Sequence, residues 1–195
     1  GYNVTYIQPV FELIPEKERK MLLNELLNFS GQDVEILNYR IENAALDNFY
    51  TKPLVMKGTA ATDSSLFDKA GNRYLLKVGE IIGEQVEMYQ KEERMLPVEN
   101  EYNRNYHRTI EITIPEGYRI ANIEDMKVNL SHFEIDGEES MGFHSDYEIE
   151  GNRLTMVIKE YYKRLVYPIE QFEEFRSIIN AAADFNKKVL IFEKI

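Results

Sequence analysis

The sequence predicts a mostly β fold, an antiparallel sandwich of immunoglobulin-like style with two peripheral α-helices, and three observations carry that expectation. The run Thr109-Ile110-Glu111-Ile112-Thr113-Ile114 alternates strictly and ends in the turn-forming Pro115-Glu116-Gly117. Residues 140–162 read as one long hairpin. Met141, Phe143, Tyr147 and Ile149 alternate with Gly142, His144, Asp146 and Glu148, Gly151-Asn152 reverses the chain, and Leu154, Met156 and Ile158 resume the alternation. The remaining strand candidates are also separated mostly by short turns, and only two helical stretches accompany them, which points to antiparallel layers rather than βα units.

In chain order, Val4, Tyr6, Val10 and Phe11 read as a strand that ends at Pro15. A helix follows from Glu16 to Phe29, with Met21, Leu22, Leu26 and Phe29 on one face, an acidic first turn that suits the dipole, and Ser30-Gly31 as its stop. Strands are expected over Val34–Ile41 and Pro53–Thr62. The polar cluster Asp68-Lys69-Ala70-Gly71-Asn72 leads into Tyr74-Leu75-Leu76-Lys77-Val78 as a hairpin. Gln85 to Gln90 reads as a bulged strand, and Val128 to Phe133 leads to a turn at Asp136-Gly137. Glu170 to Asn186 is helical, burying Phe172, Phe175, Ile178, Ile179, Ala182 and Ala183, and Val189 to Phe192 makes a last strand. On this reading the chain divides into a segment 1–70 and a C-terminal β-sandwich domain 71–195.

Composition removes whole classes of chemistry. With no cysteine among 195 residues there is no thiol nucleophile, disulfide frame or cysteine-ligated metal. With 34 acidic against 23 basic side chains, net charge −11, the surface lacks the basic stripe that phosphate neutralisation requires, so nucleic acid is not an expected partner. No window is apolar enough to insert into a bilayer. The start at Gly1-Tyr2-Asn3-Val4, without Met, basic region or apolar run, reads as a piece excised from a longer protein.

The motifs are equally spare. His107, His132 and His144 show no metal-ligand spacing, and Ser64, Ser65 and Ser145 lie in no nucleophile elbow. Gly79 and Gly83 make no phosphate-binding loop, so neither a cofactor nor a metal is expected. Acidic pairs such as Glu92-Glu93, Glu138-Glu139 and Glu173-Glu174 read as solvated faces; a hydrolase built on two carboxylates is the weakest of three functional readings. Asn3-Val4-Thr5, Asn28-Phe29-Ser30 and Asn129-Leu130-Ser131 match the short N-glycosylation pattern. Tyr102, Tyr106, Tyr161, Tyr162 and Tyr167 serve either strand packing or a groove for glycan or peptide.

Three stretches carry a resemblance. They are Gly83-Glu84-Gln85-Val86-Glu87-Met88-Tyr89, then Tyr106-His107-Arg108 through Ile114-Pro115-Glu116-Gly117-Tyr118, and finally Tyr167-Pro168 with Phe175-Arg176-Ser177-Ile178-Ile179-Asn180-Ala181-Ala182-Ala183-Asp184-Phe185-Asn186-Lys187. From about Gly71 to Ile195 the chain resembles the C-terminal DUF3858-type domain of secreted Bacteroidetes proteins, in which a transglutaminase-like core lies between two uncharacterised domains. The resemblance implies an extracytoplasmic setting, partners in the transglutaminase-like and N-terminal domains of the same parent chain, and a domain of unknown function. It also implies that the Cys, His and Asp triad lies elsewhere, since this chain has no Cys.

The expected function is therefore a non-catalytic accessory domain that packs against or positions the catalytic-type domain, with an extracellular glycan- or peptide-binding module as the alternative. The small Ala181, Ala182 and Ala183 let a helix approach a sheet, while Asp184 and Asn186 can bond backbone at its end. Together with Tyr161, Tyr162 and Tyr167, those two polar residues are the candidate interdomain or binding surface.

Overall fold

A computed structural model describes residues 4–27, 34–62, 66–89 and 93–195. It contains two compact units, residues 1–65 and 66–195.

The first unit opens with helix α1 (Val4–Ile7), a 3-10 turn (Gln8–Leu13) and helix α2 (Glu16–Leu27). Strands β1 (Val34–Glu42) and β2 (Val55–Thr62) follow as an antiparallel pair with a register shift between Ile36 and Asn38. The strand expected over residues 4–11 is helical instead. Its buried side chains are Gln8 and Phe11, three positions apart, which is the period of a 3-10 turn; Tyr6 and Val10, which alternation would place with Phe11's neighbours, are exposed. Of the expected face of α2, Met21 is exposed and Leu22 half-buried, beside a buried Leu23, while Leu26 and Phe29 lie outside the described side chains. The expected stop at Ser30-Gly31 lies outside the described residues.

The second unit is mostly strand, and every strand pair in it is antiparallel. Strands β3 (Phe67–Ala70) and β4 (Arg73–Leu76) form a hairpin, with Gly71 supplying the positive φ at its turn. A 3-10 turn (Val78–Ile82) is followed, in chain order, by β5 (Val98–Glu99), β6 (Arg104–Thr113), β7 (Tyr118–Ile120) and β8 (Val128–Phe133). Then come β9 (Glu139–Glu150), β10 (Arg153–Tyr162), β11 (Val166–Tyr167), helix α3 (Phe172–Asn186) and β12 (Leu190–Lys194). One sheet has the order β6-β10-β9-β8, a second the order β3-β4-β12-β7, and β11 pairs with β5 as a short ribbon.

Both four-stranded sheets and α3 contribute to one apolar cluster, a sandwich-like arrangement. The large sheet supplies Ile110, Met141, Phe143, Leu154, Met156, Ile158 and Tyr162; the small one supplies Leu76, Leu190 and Phe192. From α3 come Phe175, Ile178, Ile179, Ala182 and Phe185, each large side chain worth about 1.5–3 kcal/mol when removed from water. Inside that layer Glu160, 5% exposed, is held by Arg108 Nη1 at 3.1 Å and by the Tyr162 hydroxyl.

The bulged strand expected over Gln85 to Gln90 is not a strand where it is described. Its backbone is served by helix side chains: Met88 N–H donates to Asn180 Oδ1 at 2.8 Å, and Asn180 Nδ2 donates to the Met88 carbonyl at 2.9 Å. A side-chain amide thus supplies both bonds that a neighbouring strand would make.

Candidate functional site

Because α3 and the small sheet occupy one side of β6-β10-β9-β8, the alternate residues of these strands meet solvent on the other. Register sets them in rows. Lys159 of β10 stands between His107 of β6 and His144 of β9, with Asn129 of β8 beyond; the next row runs Asn105, Tyr161, Gly142, Ser131. Two open grooves lie on this face. One of about 930 Å³ is lined by residues that include Lys127, Asn129, His144, Asp146, Thr155 and Lys159. The other, of about 620 Å³, is lined by residues that include Arg104, Asn105, Glu139, His144, Tyr161 and Lys163.

His144 is the most connected group on the face. Its Nδ1 lies 2.6 Å from Asn129 Oδ1, while Nε2 faces the Tyr161 hydroxyl at 2.9 Å, Glu139 Oε1 at 3.2 Å and Ser131 Oγ at 3.3 Å. The Tyr161 ring stacks on the imidazole at 5.7 Å between centroids. Gly142 makes this approach feasible: a Cβ there would lie 2.7 Å from both His144 Nε2 and the Tyr161 hydroxyl. Partial burial works to raise the Glu139 pKa, but hydrogen bonds from Ser131 and Tyr161 and the neighbouring His144 outweigh it, so the carboxyl titrates below its ordinary value. Burial, then the same carboxylate, holds the Tyr161 phenol above its usual range.

Ser131, His144 and Asn129 have the order hydroxyl, imidazole, orienting amide. Nε2 is shared, however: besides Ser131 Oγ it faces the Glu139 carboxylate and the Tyr161 hydroxyl, so the ring is not reserved for the serine as the base of a nucleophile would be. Asp146 and Glu148 lie two apart along β9 on one face rather than opposed across a groove. The arrangement is suited to presenting fixed polar groups to a ligand. Among the described residues no three His, Asp or Glu side chains gather as a metal would require.

The five residues singled out from the sequence separate. Tyr161 is on the open face and Asp184 is exposed on α3, where it accepts the Tyr89 hydroxyl at 2.6 Å. Tyr162 and Tyr167 are not surface residues: both are fully buried with their rings against Phe175. Tyr162 lies on the core side of β10, and the Tyr167 hydroxyl reaches the Ser140 carbonyl at 3.0 Å. Asn186 is a structural tie, its Nδ2 donating to the Gly79 and Gly83 carbonyls at 3.0 and 2.8 Å. The residues that surround Tyr161, namely Asn129, Ser131, Glu139 and His144, are absent from the sequence-based candidates. Strand periodicity places His144 outward, but only the pairing of β8 with β9 brings the Asn129-Leu130-Ser131 acceptor pattern against it. The patterns at Asn3 and Asn28 begin outside the described residues.

A second surface is apolar. Met95, Leu96, Phe133, Ile135, Leu165, Val166 and Ile169 are all exposed, Met95 at 82% and Ile135 fully. Contacts tie their segments together: Glu134 accepts from Gln171 Nε2 at 3.0 Å and pairs with Arg164 Nε at 3.2 Å. Val166 of β11 pairs with Glu99 of β5, and Arg94 lies over Phe172 at 5.1 Å. Exposed apolar groups gathered on adjoining segments are the composition of a contact surface.

Fold and surfaces together define an antiparallel β-domain with an internal helix, one uncovered polar sheet face and one apolar end. A model of the family described as a domain of unknown function with a solved structure, DUF3858, matches residues 73–192, and the chain belongs to that family. Comparison with curated proteins found no match, and comparison with solved structures found none either.

Proposed function

We propose that the domain is a non-catalytic accessory module of a longer, extracytoplasmic, transglutaminase-like protein, and that it packs against and positions the catalytic-type domain of the same chain. The observation that carries this reading is the apolar end formed by Met95, Leu96, Phe133, Ile135, Leu165, Val166 and Ile169. Side chains of this size left in water along segments anchored by Glu134 have the composition of an interdomain contact.

Heteronuclear NMR titration of this chain with the separately expressed upstream part of its parent protein tests the reading. Shifts confined to the apolar end are expected, and the double variant Ile135→Asp, Leu165→Asp, which alters only exposed positions, is expected to weaken the contact by about tenfold or more. A folded sample that shows no shifts, or shifts that survive the double variant, sinks the proposal. A second reading, a module that binds extracellular glycan or peptide, is favoured by the uncovered polar face bearing Tyr161 and His144.

A further inference from the structure

One end of the open sheet face is basic although the chain as a whole is acidic. In a sequence of net charge −11, the 620 Å³ groove is lined by Arg104, Lys159 and Lys163, with Glu139 as its one carboxylate. Glu139 is already engaged by Ser131, Tyr161 and His144. None of the three has an ion pair among the described residues, but they differ in placement: Arg104 donates to the Asn100 side chain and lies over the buried Tyr162 ring on the core side, whereas Lys159 and Lys163 are exposed, Lys163 over the Tyr161 ring. His107 and His144 flank Lys159 in register. Adjacent strands lie about 4.8 Å apart, so these three basic side chains cross the face over roughly 10 Å.

We propose that this face binds an acidic polysaccharide, with Lys159 and Lys163 receiving its anionic groups and Asn105, Tyr161 and His144 its hydroxyls. The inference rests on the ligand-binding reading and is independent of docking at the apolar end. Lysine and arginine beside carboxylate or sulfate form charge-assisted hydrogen bonds, stronger than neutral ones. The 930 Å³ groove shares His144 and Lys159 with the smaller one and adds Lys127, Asn129 and Thr155, so the surface extends farther than a lone small anion, while Asp146 and Glu148 make its far end acidic and confine the anionic groups to the Lys159 end. A sheet face offers side-chain tips and no free backbone ladder, which favours a sugar over a peptide that binds by strand pairing. The acidic remainder of the chain opposes a nucleic acid.

Calorimetric titration of the whole chain at low salt with polygalacturonate, chondroitin sulfate, neutral dextran and poly-glutamate is the test. Binding of polygalacturonate assigns a carboxylate site; binding of chondroitin sulfate alone assigns a sulfate site; either supports the proposal. The Lys159→Gln, Lys163→Gln variant, altered at two exposed positions and checked by thermal melting, should weaken that binding by about tenfold or more. Lys69→Gln, which removes a positive charge elsewhere, should leave it unchanged. Equal binding of dextran overturns the acidic ligand while keeping a glycan-binding face, and equal binding of poly-glutamate overturns the sugar. Silence with all four probes overturns both this inference and glycan binding, and loss of affinity in Lys69→Gln equal to that in the double variant overturns the inference by removing the site from this face.

Discussion

Glu139 holds a carboxylate beside His144 with 27% of its side chain exposed, and the hydroxyls of Ser131 and Tyr161 keep it ionised below its ordinary 4.5. The folded state therefore binds the proton less readily than the unfolded chain does. Its contribution to stability is complete above 4.5 and is lost as pH falls through the lower, folded value. Glu134 has the same sign: burial works upward, while Ser140, Gln171 and Arg164 together bring its pKa down. Replacing Glu139 by Gln should lower stability near neutral pH by about 1–2 kcal/mol, from the lost bonds to a charged acceptor. Urea unfolding curves of the variant and the parent should converge as pH drops beneath 4.5; a constant gap would mean that the lost stability comes from packing rather than from charge.

At the scale of elements, α3 does two jobs, and the sequence disclosed one of them. Its apolar period was legible because Phe175, Ile178, Ile179, Ala182 and Ala183 recur at helical spacing, and all five are buried. Its polar residues were legible only in kind: Asn186 does bond backbone, but that of Gly79 and Gly83 more than 100 positions earlier, and Asn180 finds Met88, 92 positions earlier. Nothing in local pattern says which distant backbone a side-chain amide will serve. The same gap explains the misread strand at 85–90, whose alternation is real but whose partner is a helix. Asn180→Ala should cost about 2 kcal/mol by leaving two backbone groups unpaired. Hydrogen exchange should locate the loss, with the Met88 amide exchanging faster than those of β9. Unchanged protection at Met88 would show that the segment is held by its side chains instead.

For the whole molecule, the strands with clean alternation and glycine-marked turns were legible, and the assembly of the surfaces was not. The period of β10 separates core from the opposite face, and that of β9 does so in part, with Ser140 to Phe143 all buried and Ile149 exposed; neither can say that Ser131, Glu139, His144 and Tyr161 converge, since that depends on register across three strands. Tyr162 and Tyr167 were ambiguous for a related reason: an aromatic residue on a strand looks alike in sequence whichever way it faces. The two sheets also differ in how far apart in sequence their partners lie. β9 and β10 close through the two-residue turn Gly151-Asn152, whereas the ion pair joining β4 to β12 links Arg73 to Glu193 across 120 positions. Closing the longer loop carries the larger entropic penalty, so the two sheets should acquire structure at different times. In pulse-labelled refolding, amides of β9 and β10 should become protected first, with β4 and β12 following. A nascent chain leaving the ribosome could then hold a finished hairpin while its small sheet still waits for its last five-residue strand, β12, to emerge.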